Sequence, residues 1–408
     1  MITKEEQKAY FEEIYAALNQ AQKQAVDTLE GPVMVIAGPG TGKTQILSAR
    51  IGKILLETDA NPENILCLTY TDAGTVAMRK RLIRFIGPDA YKVHIHTFHS
   101  FCNDIIQDNL SLFEKSTLEP ISELESIEVF KELIDGFPKN HPLKRYRGDV
   151  YFEINNLKNL FSNMKREGWD TGMINSAIDS YLLDLPNRDE FVYQRAYKQF
   201  KKGDLKQNQI DLVTEKMEKL RAAVNEFDRF ISLMKKRNRY DFDDMILWVL
   251  QAFKENRLLL ANYQEQFQYI LVDEYQDTSG TQNSLVELLI NYWEQPNVFV
   301  VGDDDQSIYR FQGANIENME KFADAYSKDL KTVVLTDNYR STQPILNIAK
   351  TLIDRNQERL VKKIPGLSKE LKTSNQSLLN VNERPRILSY PQRTPRNDWH
   401  NTGSSPTY

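Results

Sequence analysis

A chain of 408 residues is too long for one small core and calls for two or three domains. With 41% apolar and 27% charged residues it has the make-up of a soluble globular protein, and no apolar run approaches the length of a membrane span. A net charge of −5 excludes a generally basic nucleic-acid coat but leaves room for a local basic groove, since only the field at a binding face steers a ligand.

The opening MITKEEQKAY has neither the apolar centre of a signal peptide nor the bias of a transit peptide, so a cytoplasmic protein is expected. Cys67 and Cys102 sit in apolar surroundings and read as buried, reduced thiols. Residues 1 to 30 read as helical, with Asn19 placed to cap a segment whose apolar stripe is Ala21, Ala25 and Val26. Gln20, Gln22 and Gln24 each offer a donor and an acceptor, as an adenine edge requires. On chemistry alone a solvated helix face explains them better.

Val33 to Leu47, VMVIAGPGTGKTQIL, passes from a buried-strand run into a glycine-rich loop and then a helix, the pattern of a phosphate-binding P-loop. Counting back from Gly42-Lys43-Thr44, the first position of G-x-x-x-x-G-K-[ST] falls on Ala37, with Gly38, Pro39, Gly40 and Thr41 between. The missing Cβ atoms of Gly38, Gly40 and Gly42 let backbone N–H groups curl around an anion at a helix N-terminus. Lys43 would reach the β and γ phosphates of a nucleotide, and Thr44 would sit on Mg²⁺.

Ile65 to Tyr70 is expected as a second buried strand, Ala73 to Ile86 as its crossover helix and Val93 to His96 as a third strand. That alternation predicts an α/β fold with a parallel, doubly wound sheet. Ligands of such sheets bind at the carboxyl ends of strands, where Tyr70 and the TFHS segment at 97 to 100 fall. His94, His96 and His99 lie near Cys102, but with no second cluster of Cys or His a zinc site is not expected. From about 112 to 240 helix-length segments follow one another, an all-helical insertion. The DFDD run at 241 to 244 precedes MILWVLQAF and reads as helix N-capping.

The α/β pattern resumes with ILVDEYQDT at 270 to 278. Here Asp273 could hold the Mg²⁺ that Thr44 also touches, and Glu274 could orient and deprotonate an attacking water. This requires the strand to lie next to the P-loop strand. Asn297 to Gly302 is the next strand, and it delivers VGDDDQSIYRFQGA. Gln306 is placed there to sense a γ-phosphate. Asp303 to Asp305 would repel one another as metal ligands and read as solvated loop caps. Tyr309, Arg310 and Phe311 interleave aromatic and basic side chains, which suits stacked bases and core packing alike. After a strand at Thr332 to Thr336, Arg340 stands at a strand-to-helix turn, as an arginine finger or as a surface ion pair. From about 385 the tail is rich in Pro, Ser, Asn and Thr and reads as disordered.

In order and spacing, LNQAQKQAV, AGPGTGKT, LTYTDAGTVAM, HTFHSF, DFDDM, ILVDEYQDT, VGDDDQSIYRFQGA and NYRS resemble the UvrD/Rep/PcrA family of superfamily 1 DNA helicases. The resemblance implies a RecA-like P-loop NTPase core in two segments, 1–111 and 241–330, split by a helical subdomain at 112–240. A second, incomplete RecA-like core would start at 331–384, before a disordered tail at 385–408. It further implies ATP with Mg²⁺, 3′ to 5′ movement on single-stranded DNA, junctions of single and double strand as substrates, and partners in repair or replication. By position, Gln22 becomes the adenine-reading glutamine, Tyr339 stacks on adenine and Arg340 contacts the γ-phosphate. Tyr70, Thr71, Thr97, His99, Tyr309 and Phe311 line the single-strand path.

The departures from the family pattern are specific. Asp72-Ala73 follow Thr71 where the family usually has Asn-Lys, Phe311 and Gln312 stand for Trp and Arg, and Gln45 stands where an Arg often holds nucleotide. Weaker, salt-sensitive DNA binding is expected. Beyond NYRS the family continues with the rest of the second core and a second arginine finger, so a truncated or frameshifted reading frame, or a fragment, is expected. The chain then reads as the ATP-binding half of a helicase. Other readings are a nucleotide-gated DNA-binding or docking module without turnover, and the motor subunit of a helicase-nuclease.

Overall fold

The computed structural model describes residues 4–113, 118–145, 147–306, 317–356, 359–363, 367–381, 383 and 385–386. Six short apolar runs build one sheet: β1 (Val33–Ala37), β2 (Ile65–Thr69), β3 (His94–Thr97), β4 (Tyr269–Val272), β5 (Asn297–Gly302) and β6 (Lys331–Leu335). All neighbours are parallel and the order is β3-β2-β4-β5-β1-β6. A parallel sheet needs helices on both faces, which is why the central strands read as unbroken apolar runs. Side chains alternate between two cores. Met34, Ile36, Leu68, Val272 and Val300 meet the helices Phe98–Asp108, Phe242–Glu255 and Gly280–Ile290. Val35, Cys67, Leu271, Phe299 and Val333 meet the helices Lys43–Glu57 and Asp72–Ile86. Both cysteines are free and buried.

Two expectations about the sheet are corrected. The Asp273 strand does not adjoin the P-loop strand, because β5 lies between them. The helix Gly280–Ile290 returns the chain beside β4, and that crossover fills the place next to β1 with β5. The strand after residue 330 does not open a second sheet. β6 pairs along β1 from Val33 opposite Lys331 to Ala37 opposite Leu335. Separate pairing begins only with Asp337–Asn338, which lies parallel to Lys372–Thr373.

The stretch between about 112 and 240 has its own core, in which Phe130, Phe161 and Phe230 pack with Leu133, Met164 and Met234. The rings of Phe130 and Phe230 stack at 4.9 Å. It is not wholly helical, since Glu119–Pro120 pairs with Arg239–Tyr240 and bridges join 192 to 205 and 197 to 200. Asp241 caps the helix Phe242–Glu255 in a reciprocal capping box with Asp244. The same two carboxylates grip Lys165 at 2.7 and 2.8 Å, and that side chain is 1% exposed. Burial alone would push the Lys165 ammonium down, but Asp241 and Asp244 outweigh it and raise it above its ordinary value. The bond ties the helix Ile154–Glu167 of the insertion to the core. Lys165→Met leaves two desolvated carboxylates without a cation and is expected to cost about 3 to 5 kcal/mol. Urea denaturation checks this, and an unchanged midpoint refutes it.

Candidate functional site

The P-loop leaves β1 at the buried Ala37 and runs through Gly40 at φ 69° and Gly42 at φ 92°, left-handed conformations that glycine adopts without steric cost. Gly42 caps the helix Lys43–Glu57 without a side-chain partner. The first N–H groups of that helix can therefore serve an anion. The Thr41 hydroxyl donates to the Gly38 carbonyl at 2.8 Å and closes the loop on itself.

The loop is also held from outside. A Cβ on Gly42 would stand 2.9 Å from Gln22 Nε2, and one on Gly40 would stand 2.6 Å from the Cβ of Arg340. Asn338 Nδ2 donates to the Pro39 carbonyl at 2.5 Å, and the Tyr339 amide donates to the Gly40 carbonyl at 2.9 Å. These glycines thus admit neighbouring protein at close range. Of the three candidate glutamines, Gln20 and Gln24 are exposed and Gln22 is buried. Gln22 Oε1 accepts from the Asn19 amide at 3.0 Å, and its Nε2 donates to the Thr41 carbonyl at 2.9 Å. Asn19 in turn donates to the Tyr339 hydroxyl at 3.1 Å.

Lys43 Nζ lies 2.7 Å from Glu274 Oε2. Glu274 reaches it across the end of β5 because its own backbone turns left-handed, at φ 48°. A cavity of about 200 Å³ gathers Lys43, Thr44, Glu274, Gln306 and Arg340, together with Gln45 and Arg81. Arg81 was not singled out in the sequence, where it is one of several cations on the helix Asp72–Ile86. Asp273 is buried, and burial first, then the charge of Glu274, raises its carboxyl to about 6. Asp277 is raised to about 6 by the same two causes in the same order. Between them, Gln276 Nε2 donates to Glu274 and to Asp277, both at 3.0 Å, while its Oε1 accepts from the Asp303 amide at 2.9 Å.

Asp303 to Asp305 are not solvated loop caps. Asp303 and Asp304 are buried around Lys369, whose ammonium bonds Asp303, lies 2.6 Å from Asp304 and lies 3.1 Å from Asp305. Arg359 adds a two-pronged contact to Asp305 at 2.6 and 2.9 Å. The repulsion expected among the carboxylates is real, and two cations more than 50 residues away in sequence relieve it. Gln306 donates to Asp303.

A groove of about 800 Å³ separates the core from the helical insertion. Tyr70, Thr71, Thr97 and His99 line its core side, and Lys158 and Arg166 line the other. The Thr71 and Thr97 hydroxyls also cap helices, accepting from the amides of Gly74 at 3.1 Å and Ser100 at 3.2 Å. Phe242 is 61% exposed in the same groove. An exposed phenylalanine inside DFDDM was the available signal, hidden because the run was read for its caps. Tyr309 and Phe311 lie outside the described residues.

A sequence model of the UvrD/REP helicase N-terminal domain matches residues 18–327. The ATP-dependent DNA helicase PcrA of Staphylococcus epidermidis is 32% identical over 346 residues, 84% of this chain and 40% of that protein. The protein of the same name from Staphylococcus aureus is 32% identical over 345 residues, with the same coverage. The chain therefore spans about two fifths of the length of these relatives. With the matched domain covering most of the chain and carrying the P-loop, the Asp-Glu strand end and the groove, the chain belongs to the UvrD/REP helicase family.

Proposed function

We propose that this chain is the ATP-binding half of a 3′ to 5′ DNA helicase or translocase, coupling ATP hydrolysis to movement on single-stranded DNA. The observation that carries this reading is the Lys43–Glu274 pair, set in one cavity with Thr44, Gln306 and Arg340. Lys43 is held by the carboxylate until a γ-phosphate takes it over, and Glu274 is then free to accept the proton of an attacking water. Arg340 supplies a rigid cationic fork and Gln306 a neutral donor on the same wall. Gln22 keeps one N–H and one lone pair beyond its bonds to Thr41 and Asn19, enough to read an adenine edge, with Tyr339 beside it to stack.

Adjacent strands prove unnecessary, since the Lys43–Glu274 pair already spans the end of β5, and Thr44 and Asp273 at the same strand ends would hold Mg²⁺. A hydroxyl and a carboxylate are the hard oxygen donors that ion takes, and Asp273, raised to about 6, is a buried carboxyl short of a cation. Mg²⁺ when bound neutralises charge on the phosphates. The groove, with Phe242 exposed in it and Tyr70, Thr71, Thr97 and His99 opposite Arg166, is the proposed path of a single strand. The motor core then runs through residues 1–111 and 241–335, with 112–240 as the inserted subdomain and a second core beginning after β6.

Single-strand-stimulated phosphate release is expected to fall at least about 100-fold in both Lys43→Ala and Glu274→Gln. Turnover unchanged by either substitution refutes the assigned roles. Nucleotide and DNA binding with no turnover in the parent chain points instead to a docking module. Phe242→Ala is expected to cost about 1 to 3 kcal/mol of single-strand affinity, read by fluorescence anisotropy.

The Asp273 carboxyl also gives a pH signature. Its folded value lies above that of an unfolded aspartate, about 3.9, so the native state loses stability as pH rises from about 4 to about 6 and carries the full penalty above that. Asp273→Asn removes the penalty. Its melting temperature is expected to match the parent near pH 4 and exceed it at pH 8, by the equivalent of about 2 to 3 kcal/mol. Added Mg²⁺ is expected to raise the melting temperature of the parent and not of the variant. A difference that does not grow with pH overturns this account.

A further inference from the structure

The turn that follows Glu274 holds a buried amide whose bonds the chemistry has not yet used. Tyr275–Asp277 is a three-residue helical turn, pinned by the Thr278 hydroxyl on the Tyr275 carbonyl at 2.7 Å, by Asn318 Nδ2 on the Thr278 carbonyl at 2.8 Å and by the Tyr275 hydroxyl on Asn283. Gln276, in its middle, is 1% exposed. Its Nε2 donates to Glu274 Oε2 and to Asp277 Oδ2, both at 3.0 Å, and its Oε1 accepts from the Asp303 amide at 2.9 Å. The end of β5 makes room for it, since a Cβ on Gly302 would stand 2.7 Å from Gln276 Oε1 and 3.2 Å from the Gln276 backbone nitrogen.

Those three partners fix which way the amide lies. Turned over, it would set its oxygen against two carboxylates and its NH₂ group against an N–H. The Asp303 amide alone could be satisfied by any acceptor, but a pair of donors aimed at two carboxylates requires an amide or a cation. The oxygen of Glu274 that Gln276 holds is the same one that lies 2.7 Å from Lys43. On the other side, the Asp303 carboxylate accepts from Gln306. Contacts thus run without a break from Lys43 through Glu274 and Gln276 to the loop that carries Gln306.

We infer, on the role proposed for Glu274, that Gln276 is a positioning residue for ATP hydrolysis. When Lys43 leaves Glu274 for a γ-phosphate, the carboxylate loses its cation and would be free to swing. The Gln276 N–H keeps it in place and aimed at the attacking water, while the Gln276 carbonyl oxygen ties that aim to the β5 loop. Gln276 therefore acts through Glu274 and not on the nucleotide.

The test is single-turnover ATP hydrolysis by the full chain in the presence of oligo-dT, for the parent, Q276A, Q276M, E274Q and E274Q/Q276A, with nucleotide affinity read by mant-ADP fluorescence. Q276A is expected to slow hydrolysis at saturating ATP at least about tenfold while nucleotide affinity stays within about threefold. Q276M fills the space without supplying a donor and is expected to be as slow as Q276A. In E274Q the amide has no carboxylate left to aim at water, so E274Q/Q276A is expected to match E274Q within about twofold. Losses that multiply in the double variant, a rate restored by methionine, or a loss of affinity as large as the loss of rate would each show a role in packing alone and overturn the assignment. Q276A as fast as the parent beside a crippled E274Q overturns the role of Gln276 alone. A parent chain without hydrolysis, or E274Q as fast as the parent, removes the role of Glu274 and that of Gln276 with it.

Discussion

The site is built around the mutual repulsion of carboxylates crowded at one edge of a parallel sheet. Asp273, Glu274 and Asp277 leave β4, and Asp303, Asp304 and Asp305 leave β5 beside it. Among the described residues, three cations are committed to this cluster. Lys43 answers Glu274, and Lys369 with Arg359 answers the three aspartates of β5. Asp273 and Asp277 have no ion-pair partner among the described residues, and burial with the charge of Glu274 raises both carboxyls to about 6 against the weaker pull of Lys43. The local shortage of positive charge and the chemistry proposed for the site are the same fact, since MgATP brings the missing cation together with an anion for Lys43.

The segment that supplies Lys369 closes the P-loop from outside together with the strand Asp337–Asn338 that pairs with it. Asn338 and Tyr339 bond its carbonyls, and Leu371 packs where a Cβ on Gly38 would lie. The phosphate loop is thus shared between the six-stranded sheet and the small pairing of Asp337–Asn338 with Lys372–Thr373. The carboxylates of Asp303 to Asp305 lie between the same two parts. Movement of one part against the other would have to separate Lys369 from these aspartates or carry them along, so the ion cluster sets which motions are cheap.

What could be read from the sequence was local. The P-loop, the helix N-caps at Asn19 and Asp241 and the apolar strand runs depend on residues a few positions apart, where spacing dictates geometry. Most departures from expectation are long-range. The place of β5 between the P-loop strand and the Asp273 strand is a matter of which crossover packs first beside β4, and no periodicity records it. Asp303 to Asp305 looked solvated because Lys369 and Arg359 lie far along the chain. Chemistry alone does not separate Gln22 from Gln20 and Gln24; the family resemblance does so by position, and burial against the P-loop does so physically. Phe242 was hidden by its neighbours, whose capping role was correctly read and sufficed to explain the run.

The left-handed backbone of Glu274 shows where folding and chemistry pull apart. A non-glycine residue held at φ 48° gives up about 1 to 2 kcal/mol that glycine would keep. The long acidic side chain at that turn serves the reach to Lys43 and accepts from the Gln276 amide. Selection for stability alone would therefore drift this position toward glycine or asparagine. Under the role proposed for it, a glutamate here marks a trade-off between a relaxed fold and a working one, since Glu274→Gly would relax the turn and remove the proposed base.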